Sequence, residues 1–152
     1  MPVILNVEKF EDIIEELKPL LEAHWKEIAN YQSEIKLDPD YVKYQTMSDQ
    51  DMLHMVTARQ DGKIVGYHIN FIIPHMHYKQ HLFAFNDILY LCPSLRKSSV
   101  ALRMFKYTEK NLKKLGVSVI TVHMKVEFPF DRLCEYLGYS YTERLYTKYI
   151  GE

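Results

Sequence analysis

The segment Leu89-Tyr90-Leu91-Cys92-Pro93-Ser94-Leu95-Arg96-Lys97-Ser98-Ser99-Val100-Ala101 is where this sequence carries its clearest chemistry. An apolar strand meets a proline, then a short turn of basic and small residues, then an amphipathic helix. That order gathers unpaired backbone N–H groups, a positive helix end and cationic side chains around one point, which is how proteins hold a phosphate. Arg96 and Lys97 bring charge, and the Ser98 and Ser99 hydroxyls can donate to phosphate oxygens or cap the helix that Val100 and Ala101 open. The turn implies a phosphate-bearing cofactor. The plainer alternative is an ordinary capped strand-to-helix connection.

A second group, His75, His77 and His81, invites a metal reading. A His-x-His pair can present two imidazoles to one ion, but such a site also needs further ligands and groups to orient them. No cysteine or carboxylate lies nearby in sequence, so metal is not expected. Cys92 and Cys134 have no CxxC spacing and no secretory leader precedes them, so reduced thiols in a cytoplasmic protein are expected. The tyrosines of the last thirty residues read as sheet packing and cleft wall rather than as platforms for bases, since no RNA-binding signature accompanies them.

These groups need a frame. A chain of 152 residues fits one domain with its own core. Its net charge of -1 gives no pull toward nucleic acid, and no apolar run is long enough for a membrane span. The charge is unevenly spread: residues 1–61 hold 6 basic and 13 acidic side chains, residues 62–152 hold 13 and 7. An acidic first half suits a cationic partner or simply solvated helix faces.

Pro2 to Leu5 reads as a strand, and apolar residues from Phe10 to Ile28 recur at helical steps, with Pro19 expected to kink or divide that helix. Asp38-Pro39 starts a shorter helix running to about Met47. Asp61-Gly62 predicts a two-residue hairpin turn between strands 54–60 and 63–73, with Pro74 ending the second arm. A loop rich in histidine and tyrosine then leads to a strand over 82–91. The spacing from Val100 to Leu115 predicts a helix stopped by Gly116, and Val117 to Met124 a β-branched strand. Strand, helix, strand in this order is a right-handed crossover between parallel strands. A last helix over 129–137, closed by Gly138, and a terminal strand pair (139–142 with 146–150) complete the order β-α-α-β-β-β-α-β-α-β-β, an α+β mixed sheet covered by helices.

This order, with the strand-turn-helix at its middle, resembles the GNAT N-acetyltransferase superfamily over essentially the whole chain. More loosely it is similar to short acetyltransferase-like proteins of tailed phages. The family's motif is Arg/Gln-x-x-Gly-x-Gly/Ala after Leu-x-Val-x-Pro. Here Leu89-Tyr90-Leu91-Cys92-Pro93 matches the lead-in and Arg96 and Ala101 match the motif's ends, while Ser99 replaces a glycine.

The resemblance implies acetyl-CoA as co-substrate, held by residues 96–101. The backbone of Leu89 and Leu91, flanking Tyr90, would orient the thioester. It implies acetyl transfer to a primary amine on a small molecule or protein by direct attack in a ternary complex. Asp87 is the carboxylate available as base on that strand. The family's acid tyrosine falls on Cys134, four residues before Gly138. The loop bearing His75 and His77 would border the acceptor cleft, with His123 a weaker candidate there. A homodimer is common in the family. Ser99 and Cys134 both favour an alternative: a weakly active or inactive protein on the same scaffold that acts by binding a host partner.

Overall fold

Asp61 and Gly62 both take positive φ (52° and 80°), the backbone that a two-residue turn between twisted strands requires. They join β2 (Leu53–Gln60) to β3 (Lys63–His75) as expected. The computed structural model describes residues 1–152 and builds one five-stranded sheet in the order β1-β2-β3-β4-β5, with β1 spanning Val3–Val7, β4 Tyr78–Leu91 and β5 Val117–Thr121. The first four strands are antiparallel, and β5 lies parallel to β4 through the crossover helix α3 (Val100–Lys114). The mixed α+β class is the one the residue pattern predicts.

The strand alternation sends two sets of side chains to opposite faces. Helix α1 (Phe10–Ile28) lays Phe10, Ile13 and Leu17 against Met55, Tyr67, Ile69 and Tyr90. Helix α3 packs Val100 and Met104 on Val3, Ala58 and Leu91, and Leu112 on Ile72 and Ala84. Each fully buried Val, Leu, Ile, Phe or Met among them contributes about 1.5–3 kcal/mol. Arg59 ties β2 to the β1–α1 connection by a bond to Glu8 (2.9 Å) and to α1 by bonds to Glu16 (2.9 and 3.1 Å).

Four details depart from the sequence reading. Helix α1 runs through Pro19 undivided, because Phe10, Ile13 and Leu17 on one side of it and His24 on the other are all buried against the sheet. Helix α2 (Tyr41–Asp49) is capped by Asp40, whose side chain accepts from the Lys43 N–H, rather than by Asp38. Pro74 does not end its strand: β3 continues to His75 and turns directly into β4 at Tyr78, so the expected loop is the tip of a long hairpin. Even-numbered residues of this part of β3 point their N–H toward β2, and β2 begins only opposite Phe71, so the N–H that proline lacks would have met no ladder.

The fourth departure is the terminal strand pair, which does not form. After α4 (Asp131–Tyr136) residues 139–152 have no strand structure, and Tyr141, Leu145, Tyr146 and Ile150 are exposed. The segment is held instead by side chains at Tyr31, which bonds Thr147 at 2.9 Å and packs on the Tyr149 ring. That anchoring draws it across the connection after α1, leaving β5 as an edge.

Candidate functional site

The middle of β4 changes neighbours. Its parallel pairing with β5 covers Leu82–Phe85 and stops at the Phe85–Thr121 pair. On the other side, Ile69 faces Ile88 and Asn70 faces Asn86, so Asp87 is an extra residue bulged out of the ladder. From Asn86 onward β4 has a partner only in β3.

The Cys92 N–H bonds the Val65 carbonyl at 2.8 Å. By strand alternation, Tyr90 and Ile88 also turn their backbone groups to β3, and Leu89 and Leu91 turn theirs into the space that β5 vacates. The Leu91 carbonyl there accepts from Arg96 Nε at 2.8 Å. Leu89 therefore offers both backbone groups and Leu91 its N–H.

Beyond Leu91 the chain makes one 3₁₀ turn at Pro93–Leu95 and enters α3. The N–H groups of Lys97, Ser99, Ala101 and Leu102 make no backbone hydrogen bond, and they surround the positive end of α3. Ser98 caps the helix: its hydroxyl accepts from the Val100 N–H at 3.2 Å and donates to the Leu95 carbonyl at 2.6 Å. Ser99, at φ −77° and ψ 0°, needs none of glycine's conformational freedom, and its side chain is exposed. Arg96 is already engaged. It grips both Glu27 carboxylate oxygens, and its guanidinium lies over the Tyr90 ring at 5.8 Å.

On the α1–α2 side of the bulge, the Tyr44 hydroxyl donates to the Asp87 carboxylate. Burial holds the Asp87 carboxyl above the usual carboxylate range, against the opposing pull of Tyr44 and of nearby His123. His123 is itself pushed down by burial and by Lys125. Next to them His24 bonds the Tyr67 hydroxyl at 3.1 Å and packs on Tyr90, its basicity lowered by burial. Asp87 and His123, two of the residues picked from sequence, thus lie within range of each other's charge.

Others are not. Cys134, on α4, sits among Asp131, Glu135 and Tyr139, with burial pushing its thiol up. That set shares no member with the groups around Asp87. His75 and His77 lie at the hairpin tip, roughly 17 Å along the strand from the bulge at about 3.3 Å per residue. There the His75 Nδ1 accepts from the His77 N–H. Sequence reasoning missed Tyr44, Tyr67, His24 and Glu27. The first three sit at apolar-face positions where a core role was the simpler reading, and Glu27 is one carboxylate among many on α1.

Beneath α3 lies a second polar group. His54, Asn70 and Asn86 are cross-strand neighbours, and His68 shares their face one step along β3, bonded to Thr108 at 3.1 Å. All four are buried, and His54 Nδ1 and Nε2, His68 Nε2, both Asn70 amide atoms and Asn86 Nδ2 lack partners. Burial drives His54 down to about 4 and His68 to about 3. Such groups require water or a ligand.

No protein-family model and no curated protein matches this sequence. Solved structures do resemble it. An aminoglycoside acetyltransferase from an uncultured soil metagenomic sample, in complex with sisomicin, superposes with a TM-score of 0.75 at 15% identity, over 99% of this chain and 96% of that one. The ribosomal-protein-alanine N-acetyltransferase of Brucella melitensis biovar Abortus 2308 gives 0.70 at 18%, over 99% and 100%. A predicted acetyltransferase of Clostridium acetobutylicum, with acetyl-CoA, gives 0.74 at 14%, over 98% and 97%. At these identities the likeness speaks for architecture: the chain has the GNAT acyl-CoA N-acyltransferase fold.

Proposed function

We propose that this protein takes an acetyl group from acetyl-CoA and transfers it to a primary amine. The observation that carries the reading is the parting of β4 from β5 beyond Phe85, which opens onto a turn with four unpaired amides. An extended chain ending in a pyrophosphate fits that path. The amides of Lys97, Ser99, Ala101 and Leu102 meet the phosphates, and Lys97 adds charge. Ser99 stands at φ −77° and ψ 0°, a backbone open to any residue, so its amide keeps this place without a glycine.

The Leu89 N–H donates to the thioester carbonyl oxygen, which gains negative charge as the amine attacks. Asp87 takes the proton that the substrate ammonium must lose, and its raised basicity suits it to that step. The amine nitrogen then bonds the carbonyl carbon and gives its second proton to solvent, the C–S bond breaks, and the thiolate leaves and takes a proton from solvent. No step is assigned to Cys134.

One observation favours a second reading, a protein on this scaffold that binds a partner without turnover: Arg96 is held by Glu27 and is not free for phosphate. Calorimetry with acetyl-CoA, followed by a thiol-release assay on mixed amines, separates the two. Saturable binding with amine-dependent release supports the transferase. Absence of acetyl-CoA binding overturns it.

A further inference from the structure

The α1–α2 face of the β3–β4 hairpin carries a continuous row of aromatic rings that starts at the bulge. Tyr44, bonded to Asp87, lies 6.0 Å from the Phe71 ring. Phe71 faces Phe85 across the strands, Phe85 meets Phe83 at 5.9 Å, and His75 covers Phe83 at 4.4 Å and Tyr78 at 4.8 Å. These rings are half-buried or, at Tyr78, 55% exposed.

The opposite face of the hairpin is covered by Leu112 of α3. On the aromatic face β2 begins only opposite Phe71 and α2 meets the row there through Tyr44, and beyond it Phe83 and Phe85 are partly exposed and Tyr78 is exposed. A small cavity of about 80 Å³, lined by Tyr44, Met47 and Phe71 with Asp40 and Lys43, opens at the bulge end.

We infer that this row docks the first residues of an unfolded polypeptide amino terminus, with apolar and aromatic side chains on the rings and the α-amino group at Asp87. Three observations select that occupant. The row spans roughly 17 Å, about five residues of extended chain and far more than a small arylalkylamine covers. Asp87 is the only carboxylate in β3 or β4, and Asp40 at the bulge end already faces Lys43 at 3.9 Å, so the strands of the row offer a polycation such as a polyamine no second counter-charge. An α-amino group, with a pKa of about 7.8, is already neutral in a sizeable fraction at pH 7, whereas a lysine at about 10.4 is almost wholly protonated there and presents far less free amine.

The placement of the amine rests on the acetyl-transfer reading; the docking surface does not. The test uses calorimetry with a free-amine pentapeptide of alternating alanine and phenylalanine, and with spermidine, on the wild-type protein and two variants. Tyr78→Ser changes an exposed side chain and leaves the fold intact. Phe83→Ser is paired with Phe83→Leu, which restores bulk.

The peptide is expected to bind, with roughly tenfold loss in Phe83→Ser, recovery in Phe83→Leu and roughly threefold loss in Tyr78→Ser. Spermidine should not displace it. No peptide binding, equal affinity in all variants, or spermidine binding more tightly overturns the inference. Peptide binding without acetyl-CoA binding refutes acetyl transfer and keeps the docking surface. Acetyl-CoA binding without peptide binding refutes the docking surface alone.

Discussion

The two halves of β4 obey different rules. Leu82–Phe85 has strands on both sides, and α3 presses Leu112 onto Ala84 there in a dry, apolar contact. Asn86–Leu91 has one strand neighbour and a bulge at its start, and next to it unpaired Asn70, Asn86, His54 and His68 atoms are buried beneath α3. The first half is what a stable sheet asks for. The second leaves backbone and side-chain polar groups without partners inside the fold, which costs stability unless something else binds them. That difference is what the proposed acetyl-CoA site rests on.

Acid should break this comparison most forcefully. His54 and His68 are held neutral, with folded values of about 4 and about 3 against an ordinary 6.5. Since both are depressed, the unfolded chain takes up protons first, so stability is full above pH 6.5 and declines as pH falls toward 4. The slope reaches roughly 1.4 kcal/mol per pH unit for each histidine. Urea unfolding at a series of pH values reads this directly, and His54→Leu should remove that residue's share, up to roughly 1.4 kcal/mol per pH unit. A flat stability between pH 6.5 and 4.5 would mean that these histidines are not desolvated as described.

Asp87→Asn comes next. It keeps the bulge but cannot accept the ammonium proton, so turnover at pH 7 should fall on the order of 100-fold and climb steeply with pH as free amine accumulates. An unaltered pH–rate profile would remove Asp87 from the reaction. Gly66 probes the free half from β3, because a Cβ there would stand 2.9 Å from the Tyr90 carbonyl oxygen and from Leu91 Cδ1. Gly66→Ala should cost about 1–3 kcal/mol and weaken acetyl-CoA binding together, since β4 must shift. Loss of stability with unchanged binding would uncouple this strand from the ligand.

The last pair of variants concerns Arg96 and its partner, and Glu27→Gln carries the smallest effect. If its guanidinium leaves Glu27 for phosphate, Arg96→Ala should weaken acetyl-CoA by about 1–3 kcal/mol. Glu27→Gln, which releases the arginine, should strengthen binding by a few-fold, on the order of 1 kcal/mol or less. Equal affinities in all three proteins would leave the arginine a purely structural tie between α1 and the turn.

Much of this frame is written in local residues. Asp61-Gly62 specifies its hairpin, Gly116 ends α3 at φ 84°, and strand, turn and crossover helix follow from periodicity. What escaped was set at a distance. Pro74 stays in a strand because of where β2 starts, and residues 139–152 follow Tyr31 rather than their own alternation. The free amides past Leu95 follow from the local motif. The Arg96–Glu27 grip and the Tyr44–Asp87 bond join residues 69 and 43 positions apart, and no local pattern announces them.

The most direct measurement is an amide-resolved NMR titration of the protein with acetyl-CoA. The N–H signals of Leu89, Leu91, Lys97, Ser99, Ala101 and Leu102 should shift together and saturate, while those of Phe83 and Ile88, bonded into the ladder with β3, stay nearly still. Shifts scattered over other surfaces, or none at those six amides at saturating acetyl-CoA, would contradict a ligand seated where β4 leaves β5.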